Sequence, residues 1–157
     1  MVDYEKDLNL GFEAADKADR NKAEVNDAIS TLRTQVLKAT QGKVEISLSR
    51  VGPPVRLDVS RYFLPEPETY LVVGAVNPLV KKCKVEQLAR WAQDRTGYPC
   101  KLTWGGNEFS ALDRKALEDV FACLLRDPLV AEQIRRLMKM EPSTPVGDAA
   151  QSPPPGA

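Results

Sequence analysis

The chain has 157 residues, with 22 Lys plus Arg, 22 Asp plus Glu, no His and three Cys, so its formal net charge is zero. That length suits one domain with a short appendage. Without histidine there is no Ser–His triad, no Cys–His dyad and no His-ligated metal; three cysteines lacking C-x-x-C spacing make no four-thiolate zinc site or iron–sulfur cluster within one chain.

The composition therefore implies no catalytic residue, no metal and no cofactor. An odd, sparse cysteine set is expected to be reduced, which places the protein in the cytoplasm. The first residues, Met1 to Lys6, carry neither a basic n-region nor an apolar h-region. The longest apolar run, Tyr70 to Val76, is too short to cross a bilayer, so no membrane partner is expected.

Three zones differ in character. Residues 1–42 are rich in Ala, Asp, Lys and Asn, contain no proline and carry a net charge of −2. Placing Leu8, Ala15, Lys22, Ile29 and Val36 at heptad position a puts Gly11, Ala18, Val25, Leu32 and Ala39 at d. Such a stripe has the width needed to meet one partner helix. It is strongest from Val25 to Ala39 and weak from Leu8 to Ala18, where the seam is mostly small residues. The spacing predicts a helix from about Phe12 to Thr40, stopped by Gly42. Its length, roughly 40 Å at 1.5 Å per residue, exceeds what a domain of about 100 residues can cover, so part of it should project. Val25, Ile29, Leu32 and Val36 are the candidate association seam of an oligomerisation or docking arm.

Residues 43–140, net charge +4, hold nearly all the aromatic and β-branched side chains and are expected to form the compact domain. Val44, Ile46 and Leu48 alternate with Glu45, Ser47 and Ser49, and the alternation resumes at Val55, Leu57 and Val59 after Gly52-Pro53-Pro54, which predicts a hairpin or meander. Tyr70 to Val76 is apolar on both faces, as a central strand requires, and Asn77-Pro78 ends it. Val85, Leu88, Ala89 and Ala92 share a stripe with helical spacing over Val85–Arg95, followed by a short strand at Cys100–Trp104. Strand, helix, strand predicts a βαβ crossover. Gly105-Gly106-Asn107 then leads to Ser110-Ala111-Leu112-Asp113, a shortened capping box ahead of a helix carrying Leu117, Val120, Phe121 and Leu124. Asp127 followed by Pro128 marks a last helix with Val130, Ile134, Leu137 and Met138 on its buried stripe. The fold class is α+β, at the margin of a small α/β: a long N-terminal helix, a small mixed sheet with a βαβ unit, and two C-terminal helices.

The last zone, residues 141–157, has five prolines and no aromatic residue, so it cannot bury enough surface to offset ordering and is expected to be disordered. Ser152-Pro153-Pro154-Pro155 lacks the basic flank of a proline-rich ligand.

Candidate chemistry is sparse. Glu66 and Glu68, and Asp113 with Glu118 and Asp119, are paired acids, but an acid catalyst needs the raised pKa that burial or a close like charge supplies, and loop or helix-surface acids lack it. Cys83 stands among Lys81, Lys82 and Lys84, whose charge favours a thiolate, yet no histidine is present to serve as its base. Cys123, between Phe121 and Leu124, is expected in the core. The Gly105-Gly106 turn has neither P-loop nor G-x-G-x-x-G spacing. More substantial is the stretch 79–104, net charge +4, where Lys81, Lys82, Lys84, Arg90, Arg95 and Lys101 are interleaved with Trp91, Tyr98 and Trp104. Cations for phosphates and rings for bases are the ingredients of single-strand binding.

The expected function is that of a non-catalytic interaction protein that self-associates or docks through its helical arm, as a homo-oligomer or against a foreign protein, and binds a macromolecule with its domain. The alternative is a small nucleic-acid-binding protein using the 79–104 stretch. Removing residues 142–157 should leave the melting temperature unchanged; a drop of several degrees in a thermal scan would show that the tail packs on the domain, since about 1 kcal/mol shifts a domain of this size by roughly 3–6 °C.

Overall fold

A computed structural model describes residues 1–52 and 69–142. The element order is α1 (Tyr4–Ala39), β1 (Glu45–Val51), β2 (Tyr70–Val76), β3 (Glu86–Gln93), β4 (Cys100–Trp104), β5 (Asn107–Ala111), α2 (Arg114–Arg126) and α3 (Pro128–Met138). The expected second strand around Val55–Val59, the Glu66/Glu68 loop and the tail from residue 143 onward lie outside the described residues.

Helix α1 is 36 residues long, about 54 Å. It starts eight residues earlier than its hydrophobic pattern predicts, because Asp3 caps it by accepting from the Lys6 N–H at 3.1 Å while Glu5 and Asp7 sit favourably in the first turn. It ends as expected before Gly42. The Gln41 N–H donates to the Lys38 carbonyl and the Gly42 N–H to the Leu37 carbonyl, with positive φ at both residues, which is the Schellman arrangement. The buried Thr40 hydroxyl donates to the Val36 carbonyl at 2.8 Å and accepts from the Val44 N–H at 3.1 Å, tying the helix end to the start of the sheet.

The five strands form one antiparallel meander in the order β1-β2-β3-β4-β5. This corrects the expected mixed sheet and βαβ unit, because the segment read as a helix over Val85–Arg95 is strand β3. Glu, Gln, Leu, Ala and Arg favour helix by only tenths of a kcal/mol each. As a strand, the same residues gain ladders to β2 and β4 on both sides and bury Trp91. The register shifts between Val73 and Gly74, leaving Leu88 as an extra residue between the Ala89 and Gln87 pairings. Leu88 and Ala89 are consequently both buried, and this bulge is what gave the sequence its helix-like spacing.

A second correction concerns the glycine pair. Gly105 and Gly106, with φ of 59° and 80°, close a two-residue hairpin between Trp104 and Asn107, the conformation that favours glycine in hairpin turns. Ser110 therefore lies in β5 rather than capping a helix. The cap of α2 is Asp113, accepting from the Ala116 N–H at 2.7 Å. Helix α3 begins as expected, with Asp127 accepting from Leu129 and Val130 and Pro128 in the first turn.

One sheet face carries Ile46, Val73, Ala75, Ala89, Trp91, Cys100, Leu102 and Ala111, which lie opposite one another in the register. Helix residues Val25, Ala28, Leu32, Val36, Leu117, Phe121, Leu124, Val130 and Leu137 close over that face as one core. Trp91 stacks on Phe121 at 6.2 Å. The arrangement is α+β in two layers. Arg114 joins α1 to α2 through Asp27 at 2.7 Å, and the buried Asn77 joins the end of β2 to α3 by donating to the Leu137 carbonyl at 2.8 Å.

Burial divides α1 into two parts with opposite expected responses to truncation. Leu32→Ala should cost about 2–5 kcal/mol of folding stability, whereas Leu8→Ala should change it by less than about 0.5 kcal/mol. Urea unfolding of the two variants at low protein concentration measures both; a comparable loss at Leu8 that does not change with protein concentration would show that the N-terminal half packs on its own domain.

Candidate interaction site

The expected seam meets its own domain. Val25, Leu32 and Val36 are buried in the core of the same chain, and Ile29 is half-buried against it. The side of α1 formed by Val25, Leu32 and Val36 is filled by the sheet and α2 and is not offered to another chain. This corrects their assignment as an association seam, and it corrects the division at residue 42, since the C-terminal half of α1 is part of the domain. A heptad stripe looks the same in sequence whether the surface it meets is a helix of another molecule or a sheet of its own.

The exposed part of α1 is the half whose heptads look weak. Residues 1–17 are all exposed, and among them Tyr4, Leu8, Leu10 and Phe12 retain 78, 58, 54 and 57% of their accessible surface. Tyr4, Leu8 and Phe12 follow one another at intervals of four, so they lie along one side of the helix. A row of large apolar side chains on a projecting helix has no folding benefit in this chain, which distinguishes it from scattered exposed apolar residues. The signal was present in the sequence as Asp3 at a cap position followed by that i, i+4, i+8 row.

The six basic residues of 79–104 do not converge. Lys81, Lys82 and Lys84 occupy the β2–β3 connection, which the Glu45↔Val76 pairing places at the end of the sheet where α1 terminates. Arg95 lies in the β3–β4 turn at the opposite end, where Gly97, at φ 102°, approaches Asn21 so closely that a Cβ would clash with its backbone. Arg90 and Lys101 lie between them on the sheet face opposite the core, Arg90 with its guanidinium 4.3 Å from the Tyr70 ring centroid and Lys101 paired with Glu108 at 3.7 Å. The rings are occupied too. Trp91 is buried, Trp104 stacks on Phe109 at 4.2 Å, and the Tyr98 hydroxyl donates to Glu24 at 2.9 Å.

Two of the candidate acids, Asp113 and Glu118, have structural roles. Asp113 is a helix cap, and Glu118 accepts from Arg114 at 2.9 Å. In the β3–β4 turn, the Thr96 hydroxyl and then the Thr96 N–H donate to Asp94 and hold its carboxyl below the ordinary range. Cys83 is partly buried, accepting from the Asn77 N–H at 3.5 Å and lying 4.0 Å from the Met140 sulfur. Cys123 is exposed, contrary to its expected core position, because it lies on the outward side of α2 between the buried Phe121 and Leu124. Cys100 is the buried thiol, and burial pushes it from its ordinary 9.0 up to about 11.

No protein-family model, curated protein or solved structure matches the chain.

Alkaline stability follows from two of these groups. Burial raises the Cys100 thiol, and burial followed by the hydrogen bond to Glu24 raises the Tyr98 phenol. Both are folded in their neutral forms, so their stabilisation is complete below the unfolded-state values and is lost as pH rises through the folded ones. The melting temperature should therefore fall between pH 9.0 and about 11, and Cys100→Ala should fall less over that interval. Identical slopes for the two proteins would refute the assignment to Cys100.

Proposed function

We propose that the protein is a non-catalytic interaction protein that engages a protein partner through the exposed N-terminal half of α1, with the α+β domain as the body from which the arm extends. The observation that carries this reading is the row Tyr4, Leu8 and Phe12, large apolar side chains exposed on a helix whose other half is anchored in the core. Recognition of an amphipathic helix through residues at i, i+4 and i+8 is a common mode of protein association. The three free cysteines are consistent with a reducing, cytoplasmic setting.

The nucleic-acid reading has less support, because its basic residues fall at two ends and one face of the sheet and its rings are already packed or hydrogen-bonded. Full-length protein bearing Leu8→Asp with Phe12→Asp should keep the wild-type near-ultraviolet spectrum and lose the partners that the wild type retains in a pull-down from its native host. Retention of every partner by the variant would refute the docking arm. Recovery of nucleic acid that is lost on Lys81→Glu, Lys82→Glu and Lys84→Glu, and at high salt, would replace it with the alternative.

A further inference from the structure

We infer that the partner of the arm is a second copy of this chain, bound with the two α1 helices antiparallel so that residue i of one lies beside residue 41 − i of the other. This rests on the docking-arm reading and specifies its occupant.

Length is the first argument. Residues 4–20 project and residues 21–39 lie along the domain, each about 25–28 Å at 1.5 Å per residue. Two such helices side by side and antiparallel would set each projecting half along the other's anchored half, with neither arm left unpaired.

Charge is the second. Residues 1–20 hold six acids and three bases, a net of −3, whereas residues 21–39 hold Lys22, Arg33 and Lys38 against Glu24 and Asp27, a net of +1, with Arg33 also paired to Glu45 of its own chain. Antiparallel pairing sets the acidic half against the basic half twice; parallel pairing sets like against like. The polarity of the charge thus selects the orientation.

The side of the helix is the third. At 100° per residue, Tyr4, Leu8, Phe12, Lys22, Arg33 and Leu37 fall within a sector of about 80°, roughly a third of a turn from the stripe buried in the core. The side that would meet the second copy is therefore not the side packed on the sheet. Lys22 is exposed, Arg33 is exposed with its guanidinium paired to Glu45 of its own chain, and Leu37 is half-buried. One register brings them together: Tyr4 meets Leu37, Phe12 meets the half-buried Ile29, the Arg33 stem covers Leu8, and Asp19 meets Lys22 at the two-fold axis, each pair formed twice.

Sedimentation of the full-length protein tests the inference. The wild type should be a dimer, and Leu8→Asp with Phe12→Asp should weaken it by about tenfold or more while the near-ultraviolet spectrum persists. Orientation is read by mild oxidation in a Cys83→Ser, Cys123→Ser background, which leaves only the buried Cys100. Tyr4→Cys and Leu37→Cys introduced together in one chain should give a reducible covalent dimer, and Tyr4→Cys alone should not. A covalent dimer from Tyr4→Cys alone would mean parallel arms and overturn the inference. So would a dimer indifferent to the Leu8 and Phe12 substitutions. A monomeric wild type that still captures a foreign protein through Leu8 and Phe12 would also overturn it, while leaving the docking-arm reading in place.

Discussion

The packing of the C-terminal half of α1 on the sheet and α2 is the contact on which the rest of the molecule depends. Val25, Ala28, Leu32 and Val36 give the sheet its cover beside Ile46 and Val73, and Arg114 reaches across from α2 to Asp27. Without that cover, one face of a five-stranded meander would expose Ile46, Ala75 and Leu102 to water, and a sheet needs a second layer to bury such a face. The Thr40 and Gly42 cap fixes the helix end against β1, and Gly97 lets the β3–β4 turn close on Asn21. Anchored along its second half, α1 has no domain surface left beneath its first half. The arm is thus a geometric consequence of a helix longer than the layer it covers.

The same contact governs what the protein offers to others. A stripe that is satisfied inside the chain cannot also hold a partner without unfolding the domain, and the large apolar side chains that α1 leaves exposed are Tyr4, Leu8, Leu10 and Phe12. The basic residues undergo a comparable redistribution. Close together in the sequence, Lys81 to Arg95 are divided among a connection, a strand and a turn, and they span the full length of β3. Interleaved cations and rings then become a set of local contacts, of which the Arg90–Tyr70 stack and the Lys101–Glu108 pair are two.

Much of the fold was legible because its signals are local. The Tyr70–Val76 strand, the Asn77-Pro78 stop, the Asp127-Pro128 start and the Gly42 end each depend on the chemistry of a few neighbouring residues, and each occupies its expected place. Strand β3 was not legible. Its bulge at Leu88 buries two consecutive side chains and converts alternation into the spacing of a helical stripe. Ser110 and Asp113 both resemble caps, and only the pairing of β5 with β4 shows which one is used.

Composition and local spacing by themselves determined the α+β class, the absence of histidine, the long N-terminal helix and the cap of the last helix. These follow from backbone hydrogen bonding, rotamer preference and side-chain type, which act over a few residues. The tertiary structure alone decided that Val85–Arg95 is a strand, that the Val25–Val36 stripe faces inward, and that Tyr4, Leu8 and Phe12 remain exposed. Those outcomes depend on which surfaces meet, and an amphipathic stripe encodes the need for an apolar partner without encoding which partner satisfies it.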